Sequence, residues 1–102
     1  MILNLDKFRG VCQQAVVHYG EESRKKQAIE ECSELIQALC KDMRGKDHNV
    51  EEEIADVLIV TEQLKYIYDN EKIEGWRKEK IVRLNRLMEL DNINQGQALD
   101  ER

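Results

Sequence analysis

Residues 50–60 read VEEEIADVLIV, and this stretch is predicted to be the central and most buried helix of the protein. At about 100° per residue, Glu53 and Asp56 fall on the same face as the apolar side chains that follow. Those side chains are Val57, Val60, Leu64 and Ile67. An ionised carboxylate removed from water without a partner costs several kcal/mol. This helix therefore requires something that neutralises its two inward carboxylates.

The apolar periodicity predicts three further helices around this one. The four helices are expected at about 5–19, 23–43, 49–68 and 73–90. Gly20 and Gly45 are expected to end the first and second helices, because glycine adopts the backbone conformation that commonly follows a helix. Asn49 is expected to cap the third helix, with Glu52 as its capping-box partner. The fold class is therefore predicted to be all-α.

A single domain is predicted over residues 1–90. Residues 91–102 have little apolar surface to bury and are expected to form a polar, flexible tail. The second helix is expected to turn one apolar face toward the core: Ile29, Cys32, Leu35, Ile36, Leu39, Cys40 and Met43. Cys12, Cys32 and Cys40 form no close CxxC pair, so they are expected to be small buried thiols rather than disulfides or zinc ligands.

Composition excludes several classes of function. A formal charge of −5 argues against general nucleic-acid binding, which requires a basic surface. No apolar run has the length of a membrane span or of a secretory signal, so a cytoplasmic protein without membrane contact is expected. With 102 residues and only five aromatic side chains the core is lean, and we expect it to be completed by homo-oligomerisation, as a homodimer or homotetramer.

The carboxylates occur as two pairs with the same spacing. Glu31 and Glu34 project from one face of the second helix, and Glu53 and Asp56 repeat this three-residue interval on the third. The short connection at Gly45 predicts that these helices are antiparallel neighbours, so that four carboxylates converge. Oxygen donors without nitrogen or sulfur suit a hard cation, and Mg²⁺ is the usual choice where phosphate is also bound.

A di-iron carboxylate bundle is a second kind of metal site built from helical glutamates. That site also uses histidine three residues after a glutamate. Here the residues three positions before His18 and His48 are Ala15 and Gly45. Iron is therefore disfavoured.

The segments AIEECSELIQAL and VEEEIADVLIV together resemble the MazG-like nucleoside triphosphate pyrophosphohydrolases, a family of the all-α NTP pyrophosphatase superfamily. The resemblance rests on an ExxE pair, here Glu31 and Glu34, followed after eighteen residues by an ExxD pair, here Glu53 and Asp56. It extends from about HYGEESRKKQ through KIVRLNRL. It implies a four-helix MazG-like bundle.

The resemblance also implies an activity, which is hydrolysis of a nucleoside triphosphate between the α and β phosphates to a nucleoside monophosphate and pyrophosphate. The four carboxylates would bind Mg²⁺, with Mn²⁺ as a possible substitute, and Glu34 is the preferred base for the attacking water. Lys80 and Arg83, on a basic ridge of the fourth helix, are candidate phosphate contacts. Gln27 lies one turn before Glu31 and is a candidate for the same cavity.

A non-catalytic helical interaction module is the alternative function. In that case the carboxylates would form ion pairs with Lys80, Arg83 or Arg86, and no metal ion would be needed.

Overall fold

The structure, a computed structural model, describes the backbone of residues 3–100 and the side chains of residues 3–95. Four helices follow one another: α1 (Leu5–Tyr19), α2 (Glu21–Met43), α3 (Val50–Leu64) and α4 (Asn70–Asp100). The described residues contain no strand, and the predicted all-α fold class is confirmed. The chain divides into two units, of which the first ends at Asp69 and holds α1 to α3, and the second begins at Asn70 and holds α4.

A single residue, Gly20, connects α1 to α2. Its φ of 90° and ψ of 157° lie in a region that is essentially restricted to glycine. Its N–H donates to the Val16 carbonyl at 2.9 Å, which ends α1. At the other end of α1 the Asn4 side chain accepts from the Lys7 N–H at 2.8 Å. Both ends of the first helix are therefore fixed by local hydrogen bonds.

The connection from α2 to α3 is short and internally bonded. Gly45 has a φ of 69°, and its N–H donates to the Asp42 carbonyl at 2.9 Å. His48 lies between the two helices, with its Nε2 3.1 Å from Asp42 Oδ1 and its Nδ1 accepting from the Val50 N–H at 3.2 Å. This connection places α3 against α2, and α3 also packs against α1.

The core of the first unit is built mainly from small side chains. Its buried apolar residues are Cys12, Val16, Ala28, Ala38 and Val60. Small residues on α2 allow α3 to approach closely, and that close approach decides which face of α2 is covered. The core is as lean as the composition predicted.

The prediction that one apolar face of α2 is turned toward the core is wrong for most residues of that face. Leu35 is half-buried, whereas the other apolar side chains of that row are exposed: Ile29, Cys32, Ile36, Leu39, Cys40 and Met43. The reason is that α3 covers the neighbouring face, which carries Ala28 and Ala38. The expectation of a buried thiol is confirmed for Cys12 and wrong for the other two cysteines.

Most of the buried side chains of α3 are polar. They are Glu53, Glu62 and Gln63, beside the apolar Val60. Glu62 is neutralised locally, because its carboxylate lies 3.7 Å from Arg9 Nε and 3.3 Å from Lys65 Nζ. Partial burial, and secondarily the charge of Glu62, raise the pKa of the nearby Cys12 thiol. Glu62 therefore has the cationic partners that a buried carboxylate requires.

The second unit consists of α4. The helix continues to Asp100, beyond Leu90 where the sequence pattern predicted its end. Lys80 lies on its exposed surface with Nζ 6.0 Å from the centre of the Trp76 ring. No helix among the described residues combines the length and apolar character needed to cross a membrane. The division into a domain of residues 1–90 and a tail stays a prediction.

Candidate metal centre

Three of the four predicted carboxylates meet where α2 packs against α3. One oxygen each from Glu31, Glu34 and Glu53 lies within 4.8 Å of the other two. Glu53 is buried, with 7% of its surface exposed, and the two α2 glutamates are half-buried. Asp56 is half-buried on the next turn of α3 and does not belong to this group of mutually close carboxylates within the described chain.

Side-chain amides hold two of the three carboxylates. Gln27 Nε2 donates to Glu31 Oε1 at 2.6 Å, from one turn earlier on α2. Asn49 Nδ2 donates to Glu53 Oε1 at 2.7 Å, from the residue that precedes α3. The short connection between α2 and α3 thus contributes directly to the position of Glu53. Both contacts orient the acidic group without neutralising its charge.

The other oxygens of these two carboxylates have no partner. Glu31 Oε2 and Glu53 Oε2 are buried and accept no hydrogen bond from the described residues. Buried polar atoms in folded proteins nearly always have a hydrogen-bond partner or a bound ion. Two buried acceptors without a partner, in a cluster with a third carboxylate, therefore favour the binding of a cation.

Asn49 contributes to this cluster in a way that the sequence pattern did not predict. It stands at the N-cap of α3, but its side chain makes no capping hydrogen bond. The predicted capping box with Glu52 is therefore wrong. The amide bonds to Glu53 instead, because the four-residue interval places that carboxylate directly above it. That interval was the available signal for the contact.

The electrostatics of the cluster are those of an acidic group without a counter-ion. Partial burial raises the pKa of Glu34, and the charges of Glu31, Glu53 and Glu30 raise it further, as does a side-chain hydrogen bond with Glu31. Among the described residues of the first unit, which ends at Asp69, no lysine or arginine forms an ion pair with Glu31, Glu34 or Glu53. This distinguishes the cluster from the neutralised Glu62.

The ligand atoms fit a hard divalent cation. The cluster offers carboxylate oxygens, and histidine and cysteine do not contribute to it. Mg²⁺ and Mn²⁺ prefer such oxygen ligands, whereas structural zinc sites use sulfur and nitrogen. The two orphaned oxygens provide the observation that the cation would explain.

Of the remaining predicted site residues, Gln27 is brought into the cluster through Glu31. Lys80 and Arg83 are exposed on α4, three residues apart along that helix. Their contact with phosphate stays a prediction.

A comparison with known protein families matches the part of the chain that contains the three carboxylates. The family model of the MazG nucleotide pyrophosphohydrolase domain matches residues 19–74, more than half of the chain, and this range includes the whole cluster. Neither a curated protein nor a solved structure matches the chain. The family is generally dependent on a divalent metal, as the acidic cluster would suggest. With its paired acidic residues on two packed helices, the chain belongs to the MazG nucleotide pyrophosphohydrolase family.

Proposed function

We propose that the protein hydrolyses a nucleoside triphosphate between the α and β phosphates, releasing a nucleoside monophosphate and pyrophosphate. Family membership supports a nucleotide pyrophosphohydrolase. The observation that carries the metal-dependent part of the proposal is the pair of buried, unpartnered oxygens of Glu31 and Glu53 beside Glu34. A cation shared with a triphosphate would satisfy these oxygens.

Glu31, Glu34 and Glu53 are the proposed metal ligands, and Asp56 is the proposed fourth. Mg²⁺, or Mn²⁺ in its place, would supply charge neutralisation for the phosphates and a lower pKa for a bound water. The chain itself orients two of the ligands through Gln27 and Asn49. Such outer contacts fix the direction in which a ligand presents its oxygen.

Glu34 is the proposed base. It is half-buried and within reach of the other two carboxylates, and no side-chain amide among the described residues fixes it as Gln27 fixes Glu31. A carboxylate next to the metal can orient a water and accept its proton as the oxygen–phosphorus bond forms.

Lys80 and Arg83 are proposed to bind the triphosphate oxygens. Arginine offers a planar pair of hydrogen-bond donors and lysine a compact positive charge, and both side chains bind phosphate oxygens well. We further propose that the protein acts in the cytoplasm as a homodimer or homotetramer.

The test is incubation with a panel of ribo- and deoxyribonucleoside triphosphates in Mg²⁺, with products resolved by anion-exchange chromatography. Monophosphate and pyrophosphate in equal amounts are expected. Reaction in ¹⁸O-labelled water then shows which phosphorus is attacked, because the label enters the product that contains that atom. Release of orthophosphate and nucleoside diphosphate would place the reaction at the wrong bond.

Two matched variants test the site. Glu34→Gln should lose at least about 100-fold in kcat, the lower range for a positioned acid–base group. Glu30→Gln removes the same charge from an exposed neighbour on α2 and should retain activity. Equal activity in both variants would exclude Glu34. A chain that neither turns over any triphosphate nor gains stability from Mg²⁺ would instead match the helical interaction module.

A further inference from the structure

Arg24 is a half-buried arginine of α2 that forms no ion pair with any described carboxylate. Its Nη2 donates to Ser23 Oγ at 2.9 Å, and its Nη1 donates to Gln63 Oε1 at 3.4 Å. Its Nε is buried and has no hydrogen-bond partner in the described part of the chain. A guanidinium has five N–H donors and a permanent positive charge. Arg24 therefore retains unused donors and has no counter-charge.

The other side chains near Arg24 do not supply that counter-charge. The guanidinium carbon lies 4.4 Å from the centre of the Tyr19 ring. This contact uses the face of the guanidinium and leaves the N–H donors along its edge unoccupied. Glu22, in the first turn of α2, lies 3.4 Å from Lys26 and does not pair with Arg24. The partners of Arg24 are thus neutral.

Glu62 shows how the same unit treats a buried charge that has partners. Its carboxylate lies near the cationic groups of Arg9 and Lys65, and such pairing offsets the cost of removing a charge from water. Arg24 has no comparable partner. A half-buried cation with free donors favours the binding of an anion from outside the chain.

Arg24 lies on the same face of α2 as the carboxylates of the metal centre. Four half-buried residues follow one another at intervals of three, four and three positions: Arg24, Gln27, Glu31 and Glu34. At 100° per residue they fall within about 80° around the helix axis. Along the axis, Arg24 and Glu31 are about 10 Å apart.

The facing helix has the same register. Arg24 contacts Gln63, and Glu34 lies beside Glu53. The interval is ten residues on α2, from 24 to 34, and ten residues on α3, from 53 to 63. Equal intervals are expected where two antiparallel helices pack along one line. Arg24 and the acidic cluster therefore lie along the same contact between α2 and α3.

We propose that Arg24 binds the phosphate chain of the substrate, an inference that rests on the proposed function. A cation would bind the chain at the carboxylates, and Arg24 binds oxygens farther along it. Metal–oxygen bonds of about 2 Å and hydrogen bonds of about 3 Å, added to an extended triphosphate, span a separation of this size. The edge of a guanidinium matches phosphate oxygens in charge and geometry.

This assignment differs from the one made for Lys80 and Arg83. Those two residues are on α4, in the second unit, whereas Arg24 belongs to the first unit together with the metal centre. Arg24 acts here as a binding residue that positions the phosphates, and it takes no part in proton transfer. Its contact is expected in the bound substrate and in the transition state alike.

Titration calorimetry with inorganic triphosphate in MgCl₂ tests the phosphate contact without a nucleoside. Arg24→Gln should raise the dissociation constant about 10- to 100-fold, the loss expected for hydrogen bonds to a charged group. Arg24→Lys should raise it by at least about threefold, because it keeps the charge but loses the planar pair of donors. Arg44→Gln is the matched control, since it removes an exposed arginine just after α2 and should bind as the wild type does.

Mg²⁺ alone distinguishes phosphate binding from a structural role. If Arg24 only held the helices in place, Arg24→Gln would disturb the carboxylates and weaken the binding of Mg²⁺ as well. We expect this variant to bind Mg²⁺ at least as tightly as the wild type, because a nearby positive charge is removed. Thermal unfolding establishes that each variant folds, and where glutamine prevents folding, Arg24→Lys provides the test. A wild-type dissociation constant for inorganic triphosphate in the folded variant would overturn the proposal.

Steady-state kinetics separates this inference from the proposed activity. In Arg24→Gln the KM for a nucleoside triphosphate should rise by the same factor, with a smaller change in kcat, because the lost contact is made before and during the reaction. A raised KM with unchanged affinity for inorganic triphosphate would assign Arg24 to the nucleoside and overturn the proposal. A chain that binds inorganic triphosphate through Arg24 but hydrolyses no nucleoside triphosphate would support the phosphate site and contradict the activity. Hydrolysis with a wild-type KM in Arg24→Gln would do the reverse.

Discussion

Replacing Glu53 by glutamine removes one negative charge from the three-carboxylate cluster and keeps the shape of the side chain. The closest oxygens of Glu31 and Glu53 lie within 4.8 Å of each other. At an effective dielectric constant of about 20, two unit charges at that distance repel by about 3.5 kcal/mol. Because Glu31 is partly exposed, solvent screening lowers this repulsion, and we expect a net gain of about 1–2 kcal/mol without metal.

The glutamine retains an oxygen that accepts from Asn49, so the side-chain hydrogen bond between residues 49 and 53 is preserved. A gain of this size raises the midpoint of thermal unfolding by about 5–15 °C for a domain of this length. Mg²⁺ should instead stabilise the wild type more than the variant. At ten times its dissociation constant it stabilises the wild type by about 1.4 kcal/mol through mass action, and it should stabilise the variant far less.

The assay is calorimetric or fluorescence-monitored unfolding with increasing MgCl₂, against NaCl of equal ionic strength. Glu52→Gln is the matched control, because it removes the same charge from the adjacent, exposed position of α3. We expect its response to Mg²⁺ to equal that of the wild type. A Glu53→Gln protein that is less stable than the wild type without metal, or that gains as much from Mg²⁺, would refute the metal centre.

Three further predictions concern backbone strain, thiol reactivity and ligand orientation. Gly20→Ala should destabilise the fold by about 1–3 kcal/mol, because the φ of 90° at this position is strained for alanine. Gly10→Ala should stabilise the fold by about 0.5–1 kcal/mol, because this residue lies inside α1 with open space around the added methyl group. Urea unfolding measures both changes. Cys12 should react with a disulfide reagent far more slowly than the two exposed cysteines of α2, because it is buried and its pKa is raised; equal rates for all three would contradict this. Asn49→Ala should weaken Mg²⁺ binding about tenfold in titration calorimetry, since Glu53 loses its orienting amide, and unchanged affinity would exclude that role.

The first helix and the turns at the two glycines followed from local sequence rules, whereas α3 ends at Leu64, before the predicted end at residue 68. The predicted first helix and the two glycine-ended turns agree with α1, Gly20 and Gly45 in the structure, because these features depend on a few neighbouring residues. The end of α4 did not follow in this way. Its residues beyond Leu90 are mostly polar. Polarity indicates how much of a segment can be buried, not whether the segment can continue a helix.

The candidate site was predictable in part. Spacing placed Glu31 and Glu34 on one face of α2, and the short connection placed α3 beside it, so that Glu53 could be expected nearby. Periodicity could not decide whether Asp56 reaches the same point, because the answer depends on the rotation of α3 against α2. It also could not reveal that Asn49 bonds to a carboxylate instead of the helix backbone, since both are common uses of an asparagine at that position.

The exposed apolar face of α2 shows the physical limit of hydrophobic periodicity. The pattern correctly identified an apolar face, but α3 covers the adjoining face, where Ala28 and Ala38 permit a closer approach. Apolar side chains gain the same free energy from leaving water whether they contact their own chain or another copy. The pattern alone therefore cannot separate a core from an interface.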